Sequence, residues 1–85
     1  MSLRIFRLPQ VILNTGLARS TVYLRIEQGL LPKPVSLGGK AVGWPASEIS
    51  QINAARIAGK SNEEIKSLVD ELENQRGKER QTHHD

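Results

Sequence analysis

No cysteine occurs among the 85 residues, and aromatic side chains are limited to one tryptophan, one tyrosine and one phenylalanine. Without thiols there is no disulfide staple and no thiolate zinc or iron–sulfur site, which also fits a reducing compartment. Hydrophobic runs are short. The longest aliphatic stretch is Val11-Ile12-Leu13, too little to span a bilayer. No apolar segment of signal-peptide type follows Met1, so a cytoplasmic protein without membrane contact is expected. The length allows one domain with a small core, burying about 60% of the unfolded surface.

Catalytic groups are equally sparse. Both histidines, His83 and His84, stand beside Asp85 at the end of the chain, where a stray metal ion is the most they suggest. No serine or threonine has a histidine or lysine partner implied by spacing. Gly38-Gly39-Lys40 hints at a phosphate loop, yet position 34 is Pro and Ala41 replaces the required Ser or Thr, so the Walker pattern fails. The carboxylates gather on the last helix at solvated positions. No enzyme, cofactor or metal site is expected.

What the chain does have is unevenly placed charge. Residues 1–44 hold six cations against Glu27 alone, a net of +5. Residues 45–85 hold six cations against eight anions, a net of −2. The formal total of +3 therefore hides a basic first half, which suits a polyanionic partner.

Local signals divide the chain into helices and one hairpin. Leu8 to Thr15 reads as a helix that Pro9 opens and Gly16 ends, with Leu8, Val11, Ile12 and Thr15 on one stripe. A second helix, Arg19 to Gln28, follows a poor cap at Ala18 and stops at Gly29. Val22 and Ile26 mark its buried face. Ser20, Leu24 and Glu27 point outward, flanked by Arg19 and Tyr23 on one side and by Thr21 and Arg25 on the other. Leu30-Leu31-Pro32-Lys33-Pro34 is an extended connector. Val35 to Trp44 is a hairpin about Gly38-Gly39, pairing Leu37 with Lys40 and Val35 with Val42. That register puts Val35, Val42 and Trp44 on one face. Pro45 opens a third helix, with Ile49 and Ile52 inward and an end near Gly59. Ser61-Asn62-Glu63-Glu64 is a capping box. Behind it Ile65, Leu68, Val69 and Leu72 form a stripe of barely more than one heptad. From Gly77 to Asp85 no apolar residue occurs, so a disordered tail is expected.

Two short helices about a glycine turn, the second polar and basic, suit a helix–turn–helix whose second helix enters a major groove. Candidate DNA contacts are Arg19, Ser20, Thr21, Tyr23 and Leu24 on that helix. Arg19 suits guanine or phosphate, the hydroxyls suit phosphates or base edges, and Leu24 suits a thymine methyl. Arg25 and Lys33 suit phosphates, and Gly39 and Lys40 let the hairpin tip approach the backbone closely.

The ordered blocks Arg7-Leu8-Pro9, Thr15 to Tyr23, Leu31-Pro32-Lys33-Pro34, Leu37 to Trp44 and Ser47-Glu48-Ile49 resemble the AlpA family. These are small phage and prophage regulators related to excisionases and to the DNA-binding head of MerR-type proteins. The resemblance covers roughly residues 4–60. It implies a mainly α fold with a small β-hairpin, a winged helix–turn–helix, with its recognition helix on Arg19 to Gln28 and its wing on Val35 to Trp44. It also implies regulation of excision genes, or a directionality role beside an integrase. Two positions depart from the usual pattern: Leu24 stands where a cation is common, and Ile52-Asn53 where a tryptophan–aliphatic pair is.

The expected organisation is a DNA-binding unit over 1–60, an amphipathic helix over 61–76 and a tail over 77–85. Double-stranded DNA is the expected partner, which would make the protein nucleoid-associated when bound. One small unit binds DNA weakly alone, so self-association is expected. Ile65, Leu68, Val69 and Leu72 are the candidate contact, with packing onto their own domain as the alternative. The rival of another class is an adaptor that holds an integrase or polymerase subunit and touches DNA little.

Overall fold

The computed structural model describes residues 4–82, and side chains as far as Arg76. In chain order it has strand β1 (Ile5–Phe6), helices α1 (Leu8–Thr15) and α2 (Arg19–Glu27), and strands β2 (Val35–Gly38) and β3 (Ala41–Pro45). Helices α3 (Ala46–Ile57) and α4 (Asn62–Thr82) complete it. The molecule is mostly helical, with one small antiparallel sheet in the order β1-β3-β2.

The helix boundaries follow local chemistry. At the start of α1 the Arg7 backbone N–H donates to Gln10 Oε1 (2.8 Å). At its end Gly16, with φ 75°, turns the chain and donates its N–H to the Ile12 carbonyl (2.9 Å). Left-handed backbone of this kind is open to glycine at little cost. Helix α2 begins at Ala18 without a side-chain cap, as its sequence indicates. Before α4 the capping box forms: Ser61 N–H donates to Glu64 Oε1 (2.9 Å), and Glu64 N–H to Ser61 Oγ (3.2 Å). These bonds, the Ser61 backbone donor foremost, hold the Glu64 carboxyl below its ordinary pKa. A carboxyl depressed in the folded state contributes stability above its unfolded pKa and loses it as pH falls through the folded value. Glu64→Ala is therefore expected to lower the melting midpoint at neutral pH and to flatten the acid limb of a melting-versus-pH series. An acid limb identical to that of the parent chain would count against the box.

The hairpin differs from its expected register. Val35 pairs with Gly43, Ser36 with Val42 and Gly38 with Ala41, with an irregularity between Ser36 and Gly38. The turn residues are Gly39-Lys40, not Gly38-Gly39. Gly39 has φ 58° and Lys40 has a negative φ, the sign pattern of a II′ turn with glycine at its first central position. Leu37 is the extra residue of the irregularity, and a slip of one position moves a side chain to the opposite face. Val35 thus shares one face with Gly43, while Ser36, Val42 and Trp44 share the other, on which Trp44 is fully buried and Val42 stays exposed.

Strand β1 was not legible in the sequence. It pairs Ile5 with Pro45 and Phe6 with Trp44, setting the only two bulky aromatics of the core side by side. The Arg4 guanidinium lies 5.8 Å from the Phe6 ring centroid, within cation–π range. Gly43 sits where Ile5 and Leu37 fold over the strand. A β-carbon there would collide with Ile5 and come within 3.0 Å of the Phe6 carbonyl. Gly43→Ala is therefore expected to destabilise by about 1–3 kcal/mol through overpacking, read as a lower urea midpoint with an unchanged slope.

Val11, Val22, Trp44, Ile49 and Ile65 are fully buried and join the helices to the sheet. Val69 and Leu72 extend the same core, with Leu68 packed against it. This settles the use of the last stripe. Ile65, Leu68, Val69 and Leu72 face their own domain, so as a contact between copies they are occupied. Helix α4 extends to Thr82, six residues past the expected end at Arg76. Its last turns are rich in Lys, Glu, Arg and Gln, which are strong helix formers without any apolar anchor. Lack of apolar residues removes packing, not helix propensity. His83, His84 and Asp85 lie outside the described residues.

Candidate nucleic-acid interface

Helix α2 owes its position to its two buried contacts and to the chain on either side. Val22 is fully buried and Ile26 packs against the core, which turns the opposite arc outward. Arg19, Ser20 and Glu27 are exposed, and Tyr23 and Leu24 keep 46% and 50% of their surface. For the one tyrosine and a leucine of a small domain, that exposure leaves ring and branch free for a partner. Before α2, Thr15 Oγ1 donates to the Val11 carbonyl (2.7 Å) and accepts the Leu17 N–H (3.3 Å), fixing the turn between the two helices.

Thr21 and Arg25 are half-buried. Arg25 lines a cleft with Asn14, Leu17, Leu30, Ile52, Asn53 and Arg56, so it stands apart from the outward arc of Ser20 and Leu24. Asn53 Nδ2 donates to the Asn14 carbonyl (2.9 Å) and ties α3 to the end of α1.

The connector after α2 is held along its backbone. Trp44 Nε1 donates to the Pro32 carbonyl (3.0 Å), and the Lys33 N–H donates to Glu73 Oε2 (2.8 Å). The Lys33 carbonyl accepts from Arg76 Nη2 (2.8 Å). The Lys33 side chain itself is exposed. Fixing the main chain while freeing the ammonium is a useful arrangement for a phosphate contact. Arg76 also makes a two-point pair with Glu48, Nε to Oε2 at 2.9 Å and Nη2 to Oε1 at 2.5 Å. The α4 helix thereby braces both the connector and the first turn of α3.

Gly39 and Lys40 form the exposed hairpin tip. Among the described residues the ion pairs are Lys66–Glu63 and Arg76–Glu48. Arg19, Arg25, Lys33 and Lys40 thus take part in neither pair, and their charge is uncancelled by close contact.

The clamp of Glu48, Glu73 and Arg76 escaped the sequence reading, which placed the acids of the last helix in solvent. A signal was present. Arg76 lies four residues after Leu72 and continues the buried stripe, and Glu48 lies four before Ile52 on the inner side of α3. Arg56 and Asn53 were likewise missed, because the cleft they line is assembled from three helices.

A protein named DNA-binding transcriptional activator AlpA, from Escherichia coli strain K12, is 41% identical over 56 residues, covering 59% of this chain and 80% of its own length. An uncharacterized protein, ORF88 of Enterobacteria phage P4, is 49% identical over 57 residues, 67% of this chain. The match spans 65% of the phage protein's length. No solved structure matches. The family model described as prophage CP4-57 regulatory protein (AlpA) covers residues 4–57, from β1 through the last residue of α3, and the chain belongs to that family.

Proposed function

We propose that the protein is a sequence-specific, non-catalytic DNA-binding regulator of transcription in a phage or prophage element, where it controls integration or excision genes. In this reading α1 and α2 are the helix–turn–helix pair and the β2–β3 hairpin is the wing. The observation that carries it is the outward arc of α2, with Arg19, Ser20, Tyr23 and Leu24 exposed and uncommitted among the described residues. Membership of a family with a DNA-binding activator among its relatives supports it. Arg19 and Leu24 are the base-reading candidates, Ser20 and Tyr23 position the helix, and Lys33 and Lys40 contact phosphates. Gly39 lets the tip approach closely. Thr21 and Arg25, half-buried, lie at the margin.

So small a contact gives modest affinity, so more than one copy is expected on DNA, through a surface other than the α4 stripe. The cytoplasm, with association to the nucleoid when bound, is the corresponding location.

Footprinting on DNA that flanks the encoding gene is the direct test. A protected site of defined length is expected, and its absence there and on random duplex would remove the reading. On that site Arg19→Ala is expected to lose about 1–3 kcal/mol of discrimination. Equal loss on specific and random DNA would move Arg19 to the phosphate class. A salt dependence that is flat on random duplex would favour the integrase- or polymerase-binding adaptor instead.

A further inference from the structure

The cleft that Arg25 lines is a feature the DNA reading leaves unused. It is half-open, about 430 Å³ in volume, and lies between the end of α1, the two ends of α2 and the outer half of α3. Leu17, Leu30 and Ile52 contribute apolar walls, while Arg25 and Arg56 bring two positive charges to the same space. Neither arginine belongs to an ion pair among the described residues. Arg56 donates from Nη1 to Asn62 Oδ1 (3.1 Å). Its Nη2 is buried with no acceptor among the described residues, an unmet demand that proteins rarely tolerate. Ile57, also lining the cleft, is 87% exposed.

We infer that this cleft docks a segment of a partner protein that places an aliphatic or aromatic side chain between Leu17, Leu30 and Ile52. A nearby carboxylate of the same segment meets Arg25 and Arg56. A small turn of the Arg56 guanidinium brings Nη2 to that carboxylate. Charge sets the sign of the partner, and the apolar walls set its second requirement. A duplex phosphate satisfies only the first, since it carries no apolar group to fill the walls. A free organic acid would leave much of itself in water in a half-open site, and pocket ligands are usually enclosed more fully. An exposed Ile57 at the cleft adds contact for something larger than the cleft. The occupant would also touch the chain just before and just after α2, the helix assigned to DNA.

Methyl-labelled full-length protein titrated with a synthetic helical peptide of leucine and glutamate tests this without DNA, so its outcome is separable from that of the DNA reading. The peptide is expected to shift the methyl signals of Leu17, Ile52 and Ile57, whereas its leucine–lysine counterpart leaves them unmoved. Arg56→Glu is expected to weaken peptide binding about tenfold or more, the scale of a lost charge pair, and Arg56→Lys to retain most of it. If Arg56→Glu fails to fold, Arg25→Gln carries the test, with weaker binding expected. No shift with the leucine–glutamate peptide, or equal shifts with both peptides, overturns the proposal. So would a shift of the same methyls by random duplex DNA with a salt slope reduced in Arg56→Gln, which would make the cleft a phosphate site. Self-association of the free protein that Arg56→Glu abolishes would instead assign the cleft to a second copy.

Discussion

Arg76→Ala is expected to destabilise the protein by about 3–5 kcal/mol, because it leaves the Glu48 carboxylate buried without its partner. The Glu48 side chain is 7% exposed and that of Arg76 26%, so water replaces the lost contact poorly. A domain of 85 residues has about 4–13 kcal/mol of stability in all. The loss is therefore large enough to unfold a substantial fraction at growth temperature. Urea denaturation reads it as a shift in midpoint. A change within about 1 kcal/mol would place the pair among solvated surface bridges, which are worth that little. The partner variant Glu48→Leu combined with Arg76→Met is expected to recover most of the loss, since removing both charges removes the desolvation cost as well. The two single losses should accordingly fail to add. A functional effect is expected too. Without Arg76 the Lys33 carbonyl loses its donor, the connector between α2 and the hairpin loosens, and DNA affinity falls even below the melting range.

Trp44→Ala is the second large effect, at about 3–5 kcal/mol for a fully buried aromatic. Trp44 has no exposed surface. It packs across from Phe6 and is hydrogen-bonded to the Pro32 carbonyl. Trp44→Phe separates the two contributions. It keeps most of the apolar volume and leaves the Pro32 carbonyl without its donor, for an expected loss of about 1–3 kcal/mol. If alanine and phenylalanine prove equally costly, the hydrogen bond rather than the ring volume dominates. If phenylalanine is neutral, the carbonyl has found another partner. Either variant should disturb DNA binding more than its distance from α2 suggests, because the same indole holds the base of the hairpin and the connector.

How much of this was readable in advance depends on the range of the interaction. Leu8 to Gly16 was legible because a helix opening near proline and closing at glycine is decided by residues within one turn of each other. The capping box at Ser61 and Glu64 was legible for the same reason. The outward arc of α2 followed from Val22 and Ile26, since helical spacing alone fixes which residues share a face. Strand β1 was not legible. Two residues carry no periodicity, and Ile5-Phe6 becomes a strand only because β3 offers an edge. The hairpin register failed for a related reason. Gly38 and Gly39 are both permissive, and the choice between the two possible turns rests on how Leu37, Ile5 and Gly43 fit together.

From the sequence alone come the boundaries of α1 and α2, the helical stripes, the basic first half and the ordered blocks that match the family, because each depends on neighbours along the chain. Tertiary structure alone decided that the α4 stripe belongs to its own core and that Glu48 and Arg76, 28 positions apart, form a buried pair. It alone also gathered Arg25 and Arg56 about one cleft. Burial is a property of the assembled surface, and an arginine or a leucine has no burial until other segments arrive to cover it.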